Sequence, residues 1–217
     1  MTARLDNLFV NRPMVILSTG TSLRGFDFTR LNECLMIGIN RIIEHYHPSI
    51  LHFVDVTAKD THAQALRSYE GMIITGPCAA PSRTHANTFE INPFGFHPLK
   101  PIGTNDSIRN FLAKEHKIGR SFGDGLFGLG AGCTALHVAI LLGGDPIYLL
   151  GYDYYEDNGV HFDAYDPTRN AKSVYDYSME CIEKISRETW IPHIFNCNPR
   201  SALTCFPHVS IESFLSE

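Results

Sequence analysis

The chain has 217 residues, 44% of them hydrophobic and 19% charged, enough apolar material for one sizeable core. It carries no low-complexity run, no internal repeat and no apolar stretch longer than residues 138–142, which excludes a disordered chain, a solenoid and a membrane span. Eighteen basic residues against 23 acidic ones leave a formal net charge of -5 with no Lys/Arg cluster, so no nucleic-acid partner is expected.

Short apolar runs alternate with helical stretches, the pattern of a mainly parallel α/β sheet. Residues 14–17 (MVIL) read as a buried first strand, stopped by Ser18-Thr19-Gly20-Thr21-Ser22. Residues 35–39 and 50–54 give the second and third strands, and the spacing of Ala63, Leu66 and Tyr69 predicts a helix over 58–69. Residues 72–75 form a fourth strand that ends at Gly76-Pro77. From 78 to 104 the chain is rich in Pro, Asn, Gly and Phe. It reads as an irregular lid or acceptor-binding flap, with a plain surface insertion as the alternative. A helix over 106–117, a glycine-rich turn over 119–132 and an apolar helix over 133–142 follow, the last stopped by Gly143-Gly144. Residues 147–150 (IYLL) are the strongest strand signal; a long helix over 171–187 and a strand over 191–195 complete the alternation, with a turn at 198–203. The expected fold is therefore a single Rossmann-like α/β domain, residues 1–217, with a lid insertion at 78–104.

Ligands of open parallel sheets gather beyond the carboxyl ends of the strands. After the first strand, Thr19, Gly20, Thr21 and Ser22 offer amides and hydroxyls that can donate to a phosphate or ribose, although the turn is neither G-x-G-x-x-G nor a P-loop. Asn40 follows the second strand and Asp55 the third; the amide could read a base edge, the carboxylate a ribose hydroxyl or a metal. Ala131 and Gly132, in Gly128-Leu129-Gly130-Ala131-Gly132, bring a helix N-terminus close to a ligand, or simply allow tight helix–sheet packing. Beyond the 147–150 strand lie Asp153, Tyr154, Tyr155 and His161, phenols and an imidazole able to hold or protonate a phosphate. His137, inside an apolar helix, reads as a satisfied core imidazole. The six cysteines have no Cys-x-x-Cys spacing and read as reduced, buried thiols, and no metal ligand set stands out.

Taken in order, Val15-Ile16-Leu17-Ser18-Thr19-Gly20-Thr21-Ser22-Leu23, Ile37-Gly38-Ile39-Asn40-Arg41, Gly130-Ala131-Gly132, the run from Ile147 through Gly151-Tyr152-Asp153-Tyr154-Tyr155, and Asn198-Pro199-Arg200-Ser201-Ala202-Leu203 form a recognisable set. It resembles the bacterial sialyltransferases of the Campylobacter lipooligosaccharide type and their relatives among motility-associated glycosyltransferases and archaeal 6-hydroxymethylpterin diphosphokinases. The resemblance runs from about residue 13 to 206 through short, partly degenerate motifs. It implies a glycosyltransferase with CMP-sialic acid as donor and a glycan or other hydroxyl as acceptor, working without a metal cofactor. Thr19, Gly20, Thr21, Ser22 and Asn40 would contact the nucleotide, Ala131 and Gly132 would lie beside the donor, and Tyr155 would hold the leaving phosphate, with His161 at or near the family's second phosphate-binding tyrosine. The family's loop asparagine is absent, and its serine before the turn glycine is Ala131. Its base histidine would fall among Val174, Tyr175 and Asp176, leaving Asp176 or His161 to serve. The diphosphokinase alternative needs ATP and magnesium, for which Asp55, Asp153 and Asp163 are the carboxylates; a non-catalytic nucleotide-binding module is the other alternative. Residues 1–12 lack the layout of a signal peptide, and the family's C-terminal membrane-associating extension has no counterpart here. The expectation is a soluble cytoplasmic protein, with a homo-oligomer left open.

Overall fold

The structure, a computed structural model, describes residues 5–54, 58–76, 88–91, 117–128, 130–154 and 171–215. Seven strands form one sheet: β1 (Arg12–Leu17), β2 (Leu35–Ile39), β3 (Ile50–Phe53), β4 (Met72–Thr75), β5 (Thr88–Glu90), β6 (Gly144–Leu150) and β7 (Ile194–Asn196). Their spatial order is β5-β4-β3-β2-β1-β6-β7, and every pairing is parallel. The chain builds outward from β1 through β5, then crosses to the other side of β1 for β6 and β7. The order therefore reverses between β1 and β6, and this fold type binds ligands at such a reversal.

The alternation of side chains along β1 divides the core in two. Met14 and Ile16 join the cluster under α3 (Ala131–Leu141) and α4 (Ala171–Ser186), while Val15 and Leu17 join Met36, Tyr148 and Leu150 on the other face. Helix α3 is apolar on all sides and buried throughout residues 133–141. It lies between the sheet and α4, so it needs no polar face. The opposite face is covered mostly by 3-10 turns at Thr21–Leu23, Phe28–Leu31 and Asn40–Glu44, by the short α2 (Ala63–Leu66), and by α5 (Ile211–Leu215). There Phe214 packs on Tyr148 with ring centroids 4.1 Å apart.

Three differences from the sequence reading have physical causes. The helix expected over 58–69 is two short turns, α1 (Ala58–Thr61) and α2, broken at His62, whose ring is held by Glu44 instead of facing solvent. The segment 78–104 contains β5, a three-residue edge strand paired with β4 through Ile73, Ile74 and Thr75. So short a strand has no period to read; apart from Ile91 the remainder of that segment lies outside the described residues, as do residues 106–116 of the helix expected over 106–117, while Lys117 is described and is not helical. Beyond the last predicted turn the chain adds α5. Among the described residues all five cysteines are free thiols.

Candidate functional site

Strand register brings the predicted residues to one edge. Leu17 pairs with Gly38 of β2 and Leu150 of β6. Thr19, Asn40 and Tyr152 each follow within two residues the carboxyl end of one of these three adjacent parallel strands, so all three leave the sheet at the same edge. Ile39 pairs with His52, so the same edge continues past β3, where Asp55 lies outside the described residues.

At the β1/β6 reversal the two loops are joined by backbone hydrogen bonds. The Ser18 amide donates to the Leu150 carbonyl at 2.9 Å and the Gly20 amide to that of Gly151 at 3.1 Å. A Cβ on Gly20 would lie 2.4 Å from the Gly151 oxygen and 2.5 Å from the Asp153 carboxyl carbon, so only glycine fits. Asp153 is 6% exposed, and its carboxylate gathers three segments. Oδ2 accepts from the Ser22 amide at 2.7 Å, and from the Thr21 hydroxyl at a longer 3.4 Å. Oδ1 accepts from the Ser22 hydroxyl at 2.5 Å and the Asn198 side-chain amide at 2.8 Å. The Asn198 amide is oriented by its own oxygen, which accepts the Arg200 amide at 3.0 Å, so its nitrogen must face Asp153.

The 198–203 turn is fastened to the same place. The Ala202 amide donates to the Asp153 carbonyl at 2.8 Å, and the Ser201 hydroxyl donates to the Tyr152 carbonyl and, at 3.2 Å, to that of Asp153. Asn196 anchors the turn from β7: its side-chain amide donates to the Leu203 carbonyl, and its oxygen accepts the Asn198 amide. Asn198 and Ser201 were legible in the sequence as a motif but had no assigned role. Their contribution is to hold Asp153 from the side opposite to the Thr21–Ser22 turn.

The end of β2 is built differently. Asn40 has a left-handed backbone, φ 48°, and its Oδ1 is buried without a hydrogen-bond partner among the described residues. A buried unmatched acceptor costs about 1–3 kcal/mol, and strained residues with such atoms concentrate where a ligand completes the set. The next residue, Arg41, has its guanidinium 2.9 Å from Glu44, whose other oxygen takes the His62 Nδ1 at 2.8 Å.

The third element is the start of α3, which the residues after β6 contact. Gly130 has φ 82°, a conformation that side chains resist, and the helix begins at Ala131. The first backbone bond back into the turn is from the Thr134 amide to the Gly130 carbonyl; the amides of the first helical turn precede it and have no acceptor inside the helix. A Cβ on Gly132 would lie 2.7 Å from the Tyr154 hydroxyl, so Gly132 makes room for that ring. Tyr154 also has a left-handed backbone, φ 53°, and its hydroxyl lies 3.0 Å from the Ser178 hydroxyl of α4. Tyr152, fully buried, donates to the Gly132 carbonyl at 2.9 Å. The Tyr152-Asp153-Tyr154 run therefore reaches the helix with its two phenols and the β1 loop with its carboxylate.

Two buried imidazoles tie α3 to its surroundings, one from the sheet and one from the helix itself. On β3, His52 donates from Nδ1 to the Ile74 carbonyl at 2.8 Å, and its Nε2 faces the Thr134 hydroxyl at 2.8 Å. Burial pushes its pKa down to about 4. His137 accepts the Phe127 amide at Nδ1 and donates from Nε2 to the Gly119 carbonyl. Burial lowers its pKa as well, and it is the satisfied core imidazole that the sequence predicts.

Of the residues expected to carry chemistry, Tyr155, His161 and Asp163 lie outside the described residues. Asp176 is on α4 and exposed. It stands two residues from Ser178, about 200° around the helix, so it does not share the side that Ser178 turns toward Gly130 and Tyr154. Among the described residues no group of three His, Cys, Asp or Glu side chains could hold a metal ion, and no helix is long and apolar enough to cross a membrane.

No protein-family model and no curated protein sequence matches the chain. Solved structures do match it in fold. The MAf glycosyltransferase from Magnetospirillum magneticum AMB-1 is 11% identical with a TM-score of 0.59 over 97% of this chain and 36% of that one. The chain thus spans about a third of that protein's length. The sialyltransferase CstII from Campylobacter jejuni, in complex with cytidine-5'-monophosphate, is 17% identical with a TM-score of 0.51 over 92% of this chain and 86% of that one. A further CST-II structure with CMP gives a TM-score of 0.51 at 16% identity. The likeness is one of fold.

Proposed function

We propose that the chain is a glycosyltransferase-like protein that binds a nucleotide-sugar donor of the CMP-sialic acid type at the β1/β6 reversal and passes the sugar to a hydroxyl acceptor. The observation that carries this reading is the unpartnered, buried Oδ1 of Asn40 at the edge where Thr19, Gly20, Thr21 and Ser22 also emerge. Ala131 and Gly132 close the far side through Tyr152 and Tyr154. An amide oxygen in that position suits a base or sugar N–H or O–H, and the amides at the start of α3 suit an anion. The fold likeness to a CMP-bound sialyltransferase supports the same reading.

In the reaction the acceptor oxygen attacks the anomeric carbon, the bond from that carbon to the phosphate oxygen breaks, and CMP departs. Tyr155 and His161 are assigned to the departing phosphate. The acceptor proton goes to a base on the side of the anomeric carbon opposite to the phosphate, so His161 can fill only one of the two roles. Asp176, exposed on α4, and His161 are the two candidates for the base. No metal is assigned. Asp153, one of the carboxylates that a magnesium-dependent diphosphokinase would use, already has both oxygens engaged by protein donors.

The test is thermal unfolding with CMP, CMP-sialic acid, UDP-sugars and ATP, each with and without magnesium. Stabilisation by cytidine nucleotides without metal is expected; magnesium-dependent stabilisation by ATP alone overturns the reading. Hydrolysis of bound donor then separates an enzyme from a binding module. Tyr155→Phe should lower kcat by about a hundredfold or more with little change in KM.

A further inference from the structure

The β1 loop was expected to offer hydrogen-bond donors to a phosphate or ribose; at Ser22 both donors are instead taken up inside the protein. A serine hydroxyl has one hydrogen and two lone pairs, and an ionised carboxylate can only accept. The Ser22 hydroxyl directs its single hydrogen to Asp153 Oδ1, and the Ser22 amide is taken by Oδ2. Asp153 cannot turn away, because Asn198 fills the remaining side of Oδ1 with a nitrogen whose orientation is imposed by the Arg200 amide. Ser22 is half-buried, and with its hydrogen committed to Asp153 the hydrogen-bonding capacity its hydroxyl has left is oxygen lone pairs.

Resting on the nucleotide-site reading above, we infer that Ser22 is a specificity-determining acceptor that takes a hydrogen from the nucleoside, in the first instance a ribose hydroxyl, and that Asp153 and Asn198 are positioning residues that impose this polarity. Phosphate, which carries no hydrogen to give once doubly ionised, is repelled by the same lone pairs and is left to the start of α3. No covalent step is involved; the inference concerns selection of the ligand.

The experiment compares wild type, Ser22→Ala and Ser22→Thr, binding CMP, cytidine, 2′,3′-dideoxy-CMP and UMP by NMR titration, with the unfolding midpoint of each variant recorded. Ser22→Ala should weaken CMP and cytidine equally, by about three- to tenfold, and should not weaken dideoxy-CMP. Ser22→Thr, which keeps the hydroxyl, should behave as wild type. A penalty that persists with dideoxy-CMP but vanishes with UMP assigns the hydrogen to the base amine and upholds the acceptor role. A penalty that vanishes with cytidine and persists with dideoxy-CMP makes phosphate the partner and overturns the inference, as does no penalty with CMP at a retained unfolding midpoint. If wild type binds none of the four, the nucleotide-site reading itself fails and takes the loop assignment with it. That outcome is distinct from CMP binding with the wrong pattern. Asn198→Ala, which leaves Ser22 itself unchanged, should relax discrimination between CMP and dideoxy-CMP without abolishing CMP binding; a loss of stability alone, with discrimination intact, would make Asn198 merely structural.

Discussion

The loops after β1 and β2 leave the same sheet edge side by side, yet one has its central polar groups satisfied and the other does not. At the β1/β6 junction Asp153 accepts from Ser22 twice and from Asn198, and more weakly from Thr21. At the end of β2, Asn40 keeps a buried oxygen with no partner on a left-handed backbone. A satisfied buried network makes a rigid frame, because each member is costly to move. An unsatisfied atom beside it marks where the frame is incomplete without a ligand. Stability should therefore reside mainly in the first loop, and a change at the second should lower affinity with little cost in stability.

Asp153→Ala is the sharpest way to break this contrast. It strands the Ser22 amide and hydroxyl and the Asn198 amide nitrogen in a site only 6% exposed. The expected loss is about 3–4 kcal/mol, read from the urea midpoint; a loss below about 1 kcal/mol would show that the junction is not the frame. Next in size is the effect of pH below the sheet edge. His52 titrates near 6.5 when unfolded and near 4 when folded, chiefly because of burial. Between those values the unfolded chain binds a proton that the folded one refuses, so stability is intact above about pH 6.5 and falls as pH drops toward 4. The loss is roughly 3 kcal/mol, with His137 adding in the same direction. Unfolding free energies across pH 4–7 check it, and replacing His52 by Gln should flatten the slope.

Tyr154→Phe removes one hydroxyl from the pair with Ser178 and should cost about 1 kcal/mol of stability, while keeping the ring over Gly132. The smallest change in stability belongs to Asn40→Gly. Glycine tolerates φ 48° and deletes the unmatched oxygen, so stability should stay within about 1 kcal/mol of wild type or rise, while affinity for CMP falls tenfold or more. Equal losses of stability and affinity at Asn40 would remove the distinction between the two loops.

Much of the frame was legible in the chain. Residues 35–39 and 72–75 are strands with the predicted limits, because continuous apolar runs bounded by turn residues have few other uses in an α/β protein. The apolar helix begins two residues earlier than predicted, at Ala131, since glycine-rich sequence does not mark where helical geometry starts. β5 and α5, three and five residues long, are too short for periodicity to reveal. They exist because a neighbouring strand or aromatic cluster was there to receive them.

The site divides in the same way. Thr19, Asn40 and Asp153 could be placed at the sheet edge from sequence because strand ends are local features. That Asp153 would face Ser22, 131 residues away, and Asn198, 45 residues away, was not readable. A carboxylate, a hydroxyl and an amide can each donate to, accept from or ignore many partners, and local sequence does not choose among them. Apolar patterning along the chain determined the parallel sheet and the edge at which chemistry gathers, because burial acts on every residue of a strand alike. Closure of that sheet alone decided which way each hydrogen points, because hydrogen bonds are directional and pair only the groups that folding brings within reach.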